Sequence, residues 1–176
     1  SISPAGEQVL AHELGVRVNL DAFRPVDLID STNETSTIVY HHYLNLMAPI
    51  ASGSFLTDAM IVCPCSGGTL ASIVHGTSDN LIHRAADVIL KERRKLVLVV
   101  RESPFNEIHL ENMLKLARMG VVILPPMPAF YNNPQNLDDM INHITMRVID
   151  QFDIHLDVIN RWDGVLLDRS RRSETE

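Results

Sequence analysis

The residues most able to do chemistry are a hydroxyl-rich turn and a scatter of cations. The turn is Cys63–Thr69, C-P-C-S-G-G-T, set directly after the apolar run Ala59–Val62 and directly before a helical pattern that starts at Leu70. A short buried strand, a turn of small residues and then a helix is an anion-binding arrangement. The first N–H groups of the helix are unpaired and carry partial positive charge. Gly67 and Gly68 let the chain approach a ligand closely, while Ser66 and Thr69 add hydroxyl partners. Such a turn suits a phosphate or the edge of a flavin.

The cations lie on other elements. Arg101-Glu102-Ser103-Pro104 follows the apolar run Leu96–Val100. That puts a charged pair at the C-terminal end of a parallel strand, where open α/β sheets bind their ligands. Arg84 and Lys91 are seven apart in one helical pattern. Two turns bring them onto one face, about 10 Å apart along the axis, within reach of one phosphate. Asp87 lies between them, placed to pair with Lys91 at i,i+4. Tyr131 comes from a proline-rich loop and Arg147 from a later helix. Ser52-Gly53-Ser54, Glu13 and the single tryptophan, Trp162, complete the candidates. Taken one at a time, each also fits an ordinary role: a solvated loop, a salt-bridged outer face, a turn or simple packing. The eight histidines form neither H-x-x-H nor H-E-x-x-H, which argues against a metal centre. Gly67-Gly68 does not make G-x-G-x-x-G, and no P-loop lysine follows it.

These residues need a scaffold. A chain of 176 residues, 45% of them hydrophobic, suits one domain with one core, expected over residues 1–165 with a tail at 166–176. The net charge of -7 opposes a general nucleic-acid-binding surface but leaves room for a local basic pocket. Cys63 and Cys65, two apart at a strand end, read as pointing to opposite faces and therefore as unpaired thiols in a reducing compartment. No apolar run approaches the ~18 residues of a membrane span, and no signal-peptide pattern opens the chain. The expectation is a soluble, cytoplasmic protein.

Val97–Val100 and Val121–Leu124 read as buried parallel strands. Between them, Glu107–Met119 carries apolar residues at helical spacing and stops at Gly120, so Leu96–Leu124 is a βαβ unit. Asn80–Arg93 reads as a helix capped by Asp79 or Asn80, with Lys91, Arg93 and Arg94 at its negative end. Gly6–Leu14 and Leu137–Phe152 are further helices. Pro125–Pro134 is a stiff loop after a strand, a position that shapes pockets. Gly15–Leu46 has no clear periodicity, and the tail from Asp168 reads as disordered or packed late. The alternation of strands and helices predicts an α/β fold with a parallel sheet. The chain opens on a helix, without the strand and glycine-rich turn with which a doubly wound domain usually begins.

From about Ser52 to Trp162 the chain resembles the UbiX-like flavin prenyltransferases. The resemblance rests on S-G-S-F (Ser52–Phe55), P-C-S-x-x-T-L (Pro64–Leu70), R-A-A-D-V-x-L-K-E-R-R (Arg84–Arg94) and L-V-L-V-x-R-E-x-P (Leu96–Pro104). It continues through I-H-L-E-N-M-L (Ile108–Leu114), P-P-M-P-A-F-Y (Pro125–Tyr131) and R-W (Arg161-Trp162), and extends weakly back to Ser3.

The resemblance implies a doubly wound, flavodoxin-like or Rossmann-like domain in three layers, α/β/α, assembled as a homododecamer. It implies transfer of a dimethylallyl group from dimethylallyl phosphate to reduced FMN, with two bonds formed to the isoalloxazine and a fourth ring closed. The prenylated FMN would pass to a UbiD-like decarboxylase, and no metal would be needed. Ser3, Ser66, Gly67, Gly68, Thr69 and Arg101 then match positions at the FMN site. Tyr131 and Arg147 match residues that bind the prenyl phosphate, and Arg84, Lys91, Ser52, Glu102 and Trp162 match positions lining the active site. Glu102 is the expected proton carrier, and Glu13 matches a glutamate implicated in ring closure.

Two departures stand out. The family's opening strand and its G-x-S/T-G-A turn have no counterpart here, and Gly67-Gly68 replaces bulkier residues. Two competing readings remain at this stage. One is an FMN-dependent decarboxylase of the peptidyl-cysteine type, which needs a histidine and an asparagine that the turn lacks. The other is a non-catalytic flavin-binding subunit of a decarboxylase.

Overall fold

The computed structural model describes residues 1–29, 37–156 and 161. Trp162 and the expected tail at 166–176 lie outside the described residues. The chain divides into two compact units, Ser1–Pro125 and Pro126–Glu176.

The first unit holds α1 (Pro4–Glu13), β1 (Ala59–Cys65), α2 (Gly67–His75), α3 (Leu81–Lys91), β2 (Lys95–Val100), α4 (Glu107–Arg118) and β3 (Val122–Ile123). Among the described residues the strands form one parallel sheet in the order β1-β2-β3. The register sets Ala59 against Lys95 and Val62 against Leu98, then Val97 against Val122. β2 is central, and every residue from Leu96 to Val100 is buried, as its unbroken β-branched and leucine run requires of a strand covered on both faces. The core joins Leu70, Ile73 and Val74 of α2, Ala86 and Ile89 of α3, the β2 side chains and Leu116 of α4.

The helices start and stop for local reasons. Asn80 caps α3 by accepting from the His83 N–H at 3.0 Å, and Asn106 caps α4 by accepting from His109 at 2.8 Å. Gly76 and Gly120, at φ 67° and 88°, end α2 and α4 in the left-handed region that favours glycine. The sequence reading placed the start of α2 at Leu70; it begins at Gly67 instead, because Ser66 is the N-cap. The two glycines therefore form the helix's first turn rather than a loop before it.

The second unit contains α5 (Leu137–Ile149), capped by Asn136, and a 3-10 turn at Asp150–Phe152. No described helix is long and apolar enough to cross a membrane.

Cys63 is exposed, Cys65 fully buried, and both are free thiols. The reason differs from the one first inferred. On a regular strand residues two apart share a face, but the pairing of β1 with β2 slips between Val62 and Cys65, and this bulge separates the two side chains. Burial pushes the Cys65 thiol up to about 12 and raises Cys63 as well. One thiol should therefore react with a maleimide in the folded protein at pH 8, and peptide mapping should find it at Cys63. Cys65 should react only after unfolding; labelling of Cys65 in the native protein would refute this core.

Candidate active site

A cavity of about 530 Å³ is lined by β1 from Ala59 to Pro64, a size suited to a small-molecule site, for which roughly 300–1,000 Å³ is usual. α1 contributes Val9 and Leu10 to its walls, and α3 contributes Leu81, Ala85 and Ile89. Ser3, Ser66, Thr69 and Arg101 are among its polar lining residues.

Each is held by its local structure. Ser3 caps α1, its Oγ accepting from the Gly6 N–H at 3.0 Å. Ser66 Oγ accepts from the Thr69 N–H at 3.2 Å and donates to Thr69 Oγ1 at 3.1 Å. Arg101 is fixed by its backbone, whose N–H donates to the Cys65 carbonyl at 3.0 Å. Its exposed guanidinium has no carboxylate partner among the described residues.

Gly67 explains itself. A Cβ there would stand 2.8 Å from His109 Nε2 and 3.4 Å from Glu102 Oε2. The Glu102 carboxylate and the His109 ring thus both lie against the first turn of α2, in space that a side chain at position 67 would fill. Gly68 has only Ser66 Oγ near its missing Cβ, at 3.9 Å, so space does not demand glycine there.

A second polar cluster surrounds the segment 51–57. Arg84 donates from Nε to the Ala51 carbonyl at 3.1 Å and from Nη1 to Asp87 at 2.9 Å. Lys91 pairs with Glu92, and a Cβ on Gly53 would lie 2.6 Å from Lys91 Nζ. Ser52 Oγ lies 2.9 Å from Ser54 Oγ. Arg94 clamps the same segment, donating to the carbonyls of Gly53 at 2.7 Å and Phe55 at 2.9 Å. Arg84, Lys91 and Ser52 thus gather at one place, outside the cavity lining. The pair expected between Asp87 and Lys91 is not the one formed: Asp87 takes Arg84, which already faces it at i,i+3, and Lys91 takes Glu92.

In the second unit α5 gathers its own polar residues. The Tyr131 ring meets His143 edge-on, at 5.7 Å and 85°. Arg147 lies one turn further along the helix from His143. Asn132 Nδ2 approaches His143 Nδ1 at 3.4 Å. Burial, and then the Arg147 charge, lower the His143 pKa and keep the ring neutral. Arg147 donates to Asp150 at 3.4 Å.

The flavoprotein family model matches residues 11–149. A protein of Bacillus subtilis strain 168 described as a probable UbiX-like flavin prenyltransferase is 49% identical over 164 residues, covering 93% of this chain and 74% of that relative. The chain belongs to the UbiX-like flavin prenyltransferase family. A dodecameric FMN-dependent UbiX-like decarboxylase from Escherichia coli O157:H7 superposes with a TM-score of 0.69 at 57% identity, over 70% of this chain and 67% of the other. AnUbiX, solved with FMN and dimethylallyl pyrophosphate, superposes with a TM-score of 0.79 at 42% identity, over 93% of this chain and 80% of the other. Matched relatives are covered over 56% to 77% of their length. The UbiX-like fold is the flavodoxin-like α/β architecture expected from the resemblance, and three parallel strands of it are described here.

Of the expected UbiX-like site residues, the cavity collects Ser3, Ser66, Thr69 and Arg101, while Gly67, Gly68 and Glu102 stand beside it at the start of α2. Glu13 ends α1, is exposed, and is not among the lining residues. The sequence reading missed His109, His143 and Arg94. The signal for His143 was its i,i+4 spacing to Arg147. Nothing in the sequence places His109 over Gly67, 42 positions away.

Ser66→Ala should destabilise the protein by about 1 kcal/mol through loss of the cap, lowering Tm by roughly 2–4 °C in calorimetry; an unchanged Tm would remove Ser66 from that role. Asp150 carries a second expectation. Hydrogen bonds from Arg161 and then His155 outweigh burial and hold its carboxyl well below the usual carboxylate range. A depressed carboxylate stabilises the fold above its ordinary pKa, and that contribution is lost as pH falls through the depressed value. The Tm difference between wild type and Asp150→Asn should hold steady down to about pH 4 and shrink below it. A difference that widens on acidification would show the opposite linkage.

Proposed function

We propose that this protein transfers a dimethylallyl group from dimethylallyl phosphate to reduced FMN, giving prenylated FMN for a UbiD-like decarboxylase. The observation that carries this reading is the cavity beside β1, whose lining includes Ser3, Ser66, Thr69 and Arg101. Its donors fit a flavin mononucleotide. Apolar walls suit the ring system, and hydroxyls with a guanidinium at the start of a helix suit the phosphate or the ring's polar edge. Reduced FMN, when bound, supplies the nucleophilic ring atoms, so the protein needs no serine or cysteine nucleophile. The buried, protonated Cys65 fits that view.

The chain's own residues then have three tasks. Ser66, Thr69 and Arg101 orient the flavin, with the backbone of Gly67 and Gly68 close to it. Tyr131 and Arg147 take the donor's phosphate and stabilise its departing charge, a role suited to a guanidinium fork. Arg84, Lys91, Ser52 and Trp162 are likewise assigned to the donor in this reading. Glu102, exposed and set against the start of α2, carries a proton to or from the reacting groups, and the His109 ring lies against the same turn. Glu13 is assigned to ring closure. The working form is a homododecamer in the cytoplasm, and the exposed Met47, Phe55 and Leu56 suit burial between subunits. The names of the relatives favour transfer over the peptidyl-cysteine decarboxylase and carrier readings.

The test is an anaerobic assay of the full-length protein with reduced FMN and dimethylallyl phosphate, read by mass spectrometry of the released flavin. A flavin heavier by one dimethylallyl unit is expected, and recovery of unmodified FMN alone would reject the reading. Arg147→Ala should raise KM for the donor roughly 10–100-fold, the worth of a charge-assisted hydrogen bond, with FMN affinity little changed. Tyr131→Phe should act in the same direction and less. Equal loss of donor and FMN binding would contradict the division of labour.

A further inference from the structure

One carboxylate in the second unit meets two guanidinium groups and a histidine ring. Asp150 closes α5, and its side chain is only 8% exposed. Arg161 grips it with both prongs, Nη2 at 2.8 Å from Oδ1 and Nη1 at 2.9 Å from Oδ2. His155 Nδ1 lies 3.1 Å from Oδ1. Arg147 Nη1 reaches Oδ2 at 3.4 Å, the longest contact of the set. Arg147 itself is 53% exposed, and Asp150 is the sole hydrogen-bond partner of its side chain among the described residues.

The three compete for two oxygens. Short, forked charge-assisted bonds outweigh a single long one, so Arg161 owns the carboxylate and Arg147 is only tethered to it. One of the five N–H groups of the Arg147 guanidinium is engaged, which leaves the rest for another acceptor. The two guanidinium groups and one carboxylate carry a net charge of +1 (two positive, one negative) with His155 neutral. Without Arg161, a mostly buried carboxylate would need another cation. Arg147, three residues before it, is the other guanidinium already in contact with that carboxylate.

We infer that Arg161 is a positioning residue for Arg147. By occupying both oxygens of Asp150 it keeps that carboxylate from capturing and neutralising Arg147, so the Arg147 fork stays open to a phosphoryl group. The inference rests on the assignment of Arg147 to the donor's phosphate. Its particular signature is a rescue: removal of Asp150 should undo the damage done by removal of Arg161.

The experiment measures KM and kcat for dimethylallyl phosphate, at saturating reduced FMN, in the full-length protein. The variants are Arg147→Ala, Arg161→Gln, Arg161→Lys, Asp150→Asn and the double variant Asp150→Asn/Arg161→Gln. Arg161→Gln should raise KM by about tenfold, the worth of one charge-assisted hydrogen bond, with kcat nearly unchanged. The double variant should return to within roughly threefold of wild type, the residue expected when coupled sites are cut together. Arg161→Lys keeps the charge but loses the fork, so its KM should lie between wild type and Arg161→Gln; it carries the test if the glutamine variant does not fold. A normal KM in Arg161→Gln, or a double variant as impaired as Arg161→Gln, overturns the inference. If Arg147→Ala leaves KM unchanged, the assignment of Arg147 fails and the inference falls with it. If Arg147→Ala raises KM while the Arg161 variants do not, only the inference fails.

Discussion

The cavity depends on one junction: a parallel strand ends and a helix begins within the single residue Ser66. A helix cannot supply carbonyl partners to the N–H groups of its own first turn. Ser66 satisfies one of them, that of Thr69, and leaves the N–H groups of Gly67 and Gly68 without an intrahelical acceptor. The sheet holds this unfinished end in place. Cys65 pairs with Val100, and the Arg101 N–H closes on the Cys65 carbonyl. Position 101 is thereby fixed beside the start of α2 by backbone alone, whatever its side chain does. Gly67 serves the same end sterically, since any Cβ there would meet His109 Nε2. One junction therefore aligns a helix start, an arginine and a carboxylate.

What the sequence made legible follows from range. β2, α3, α4 and α5 are written in local code, as runs, periods and caps within about a dozen residues; the first three appear within a residue or two of their expected limits, and α5 gives way to a 3-10 turn at Asp150, three residues before its expected end. The start of α2 was misplaced because Gly67-Gly68 looks like a loop until the Ser66 cap is seen to hold it in a helical turn. The segment 15–46 shows no periodicity in its sequence, and its described residues hold together by non-local contacts. Tyr40 donates to the Leu20 carbonyl at 3.0 Å and its ring packs on Phe23 at 4.8 Å, contacts made between residues far apart in the chain. The site divides in the same way. Residues at the ends of strands and helices could be picked out, because topology alone puts them near ligands. His109 could not, because it reaches Gly67 through the packing of α4 on α2.

The cations raise a further question, since a chain of net charge -7 is read here as handling phosphates. Most of its candidate cations are tied to carboxylates: Arg84 to Asp87, Lys91 to Glu92, Arg147 to Asp150. A tethered cation has a defined position and costs less side-chain entropy to use, but each tether also removes charge. The chain answers differently at different places. Arg101 has no carboxylate partner among the described residues and is positioned by its backbone, so it keeps its full charge. Arg147 is held by Asp150, whose own charge is already answered by Arg161.

The overall negative charge then matters little to a bound anion. At physiological ionic strength the screening length is about 8 Å, so exposed acids elsewhere on the surface are largely hidden from it. What the anion meets is the local balance, and among Arg147, Arg161 and Asp150 two positive groups face one negative. The His155 ring nitrogen also meets the same carboxylate, at 3.1 Å. The affinity of such a place is set by how many carboxylate oxygens are left over for its arginines to satisfy, and here Arg161 leaves none unshared.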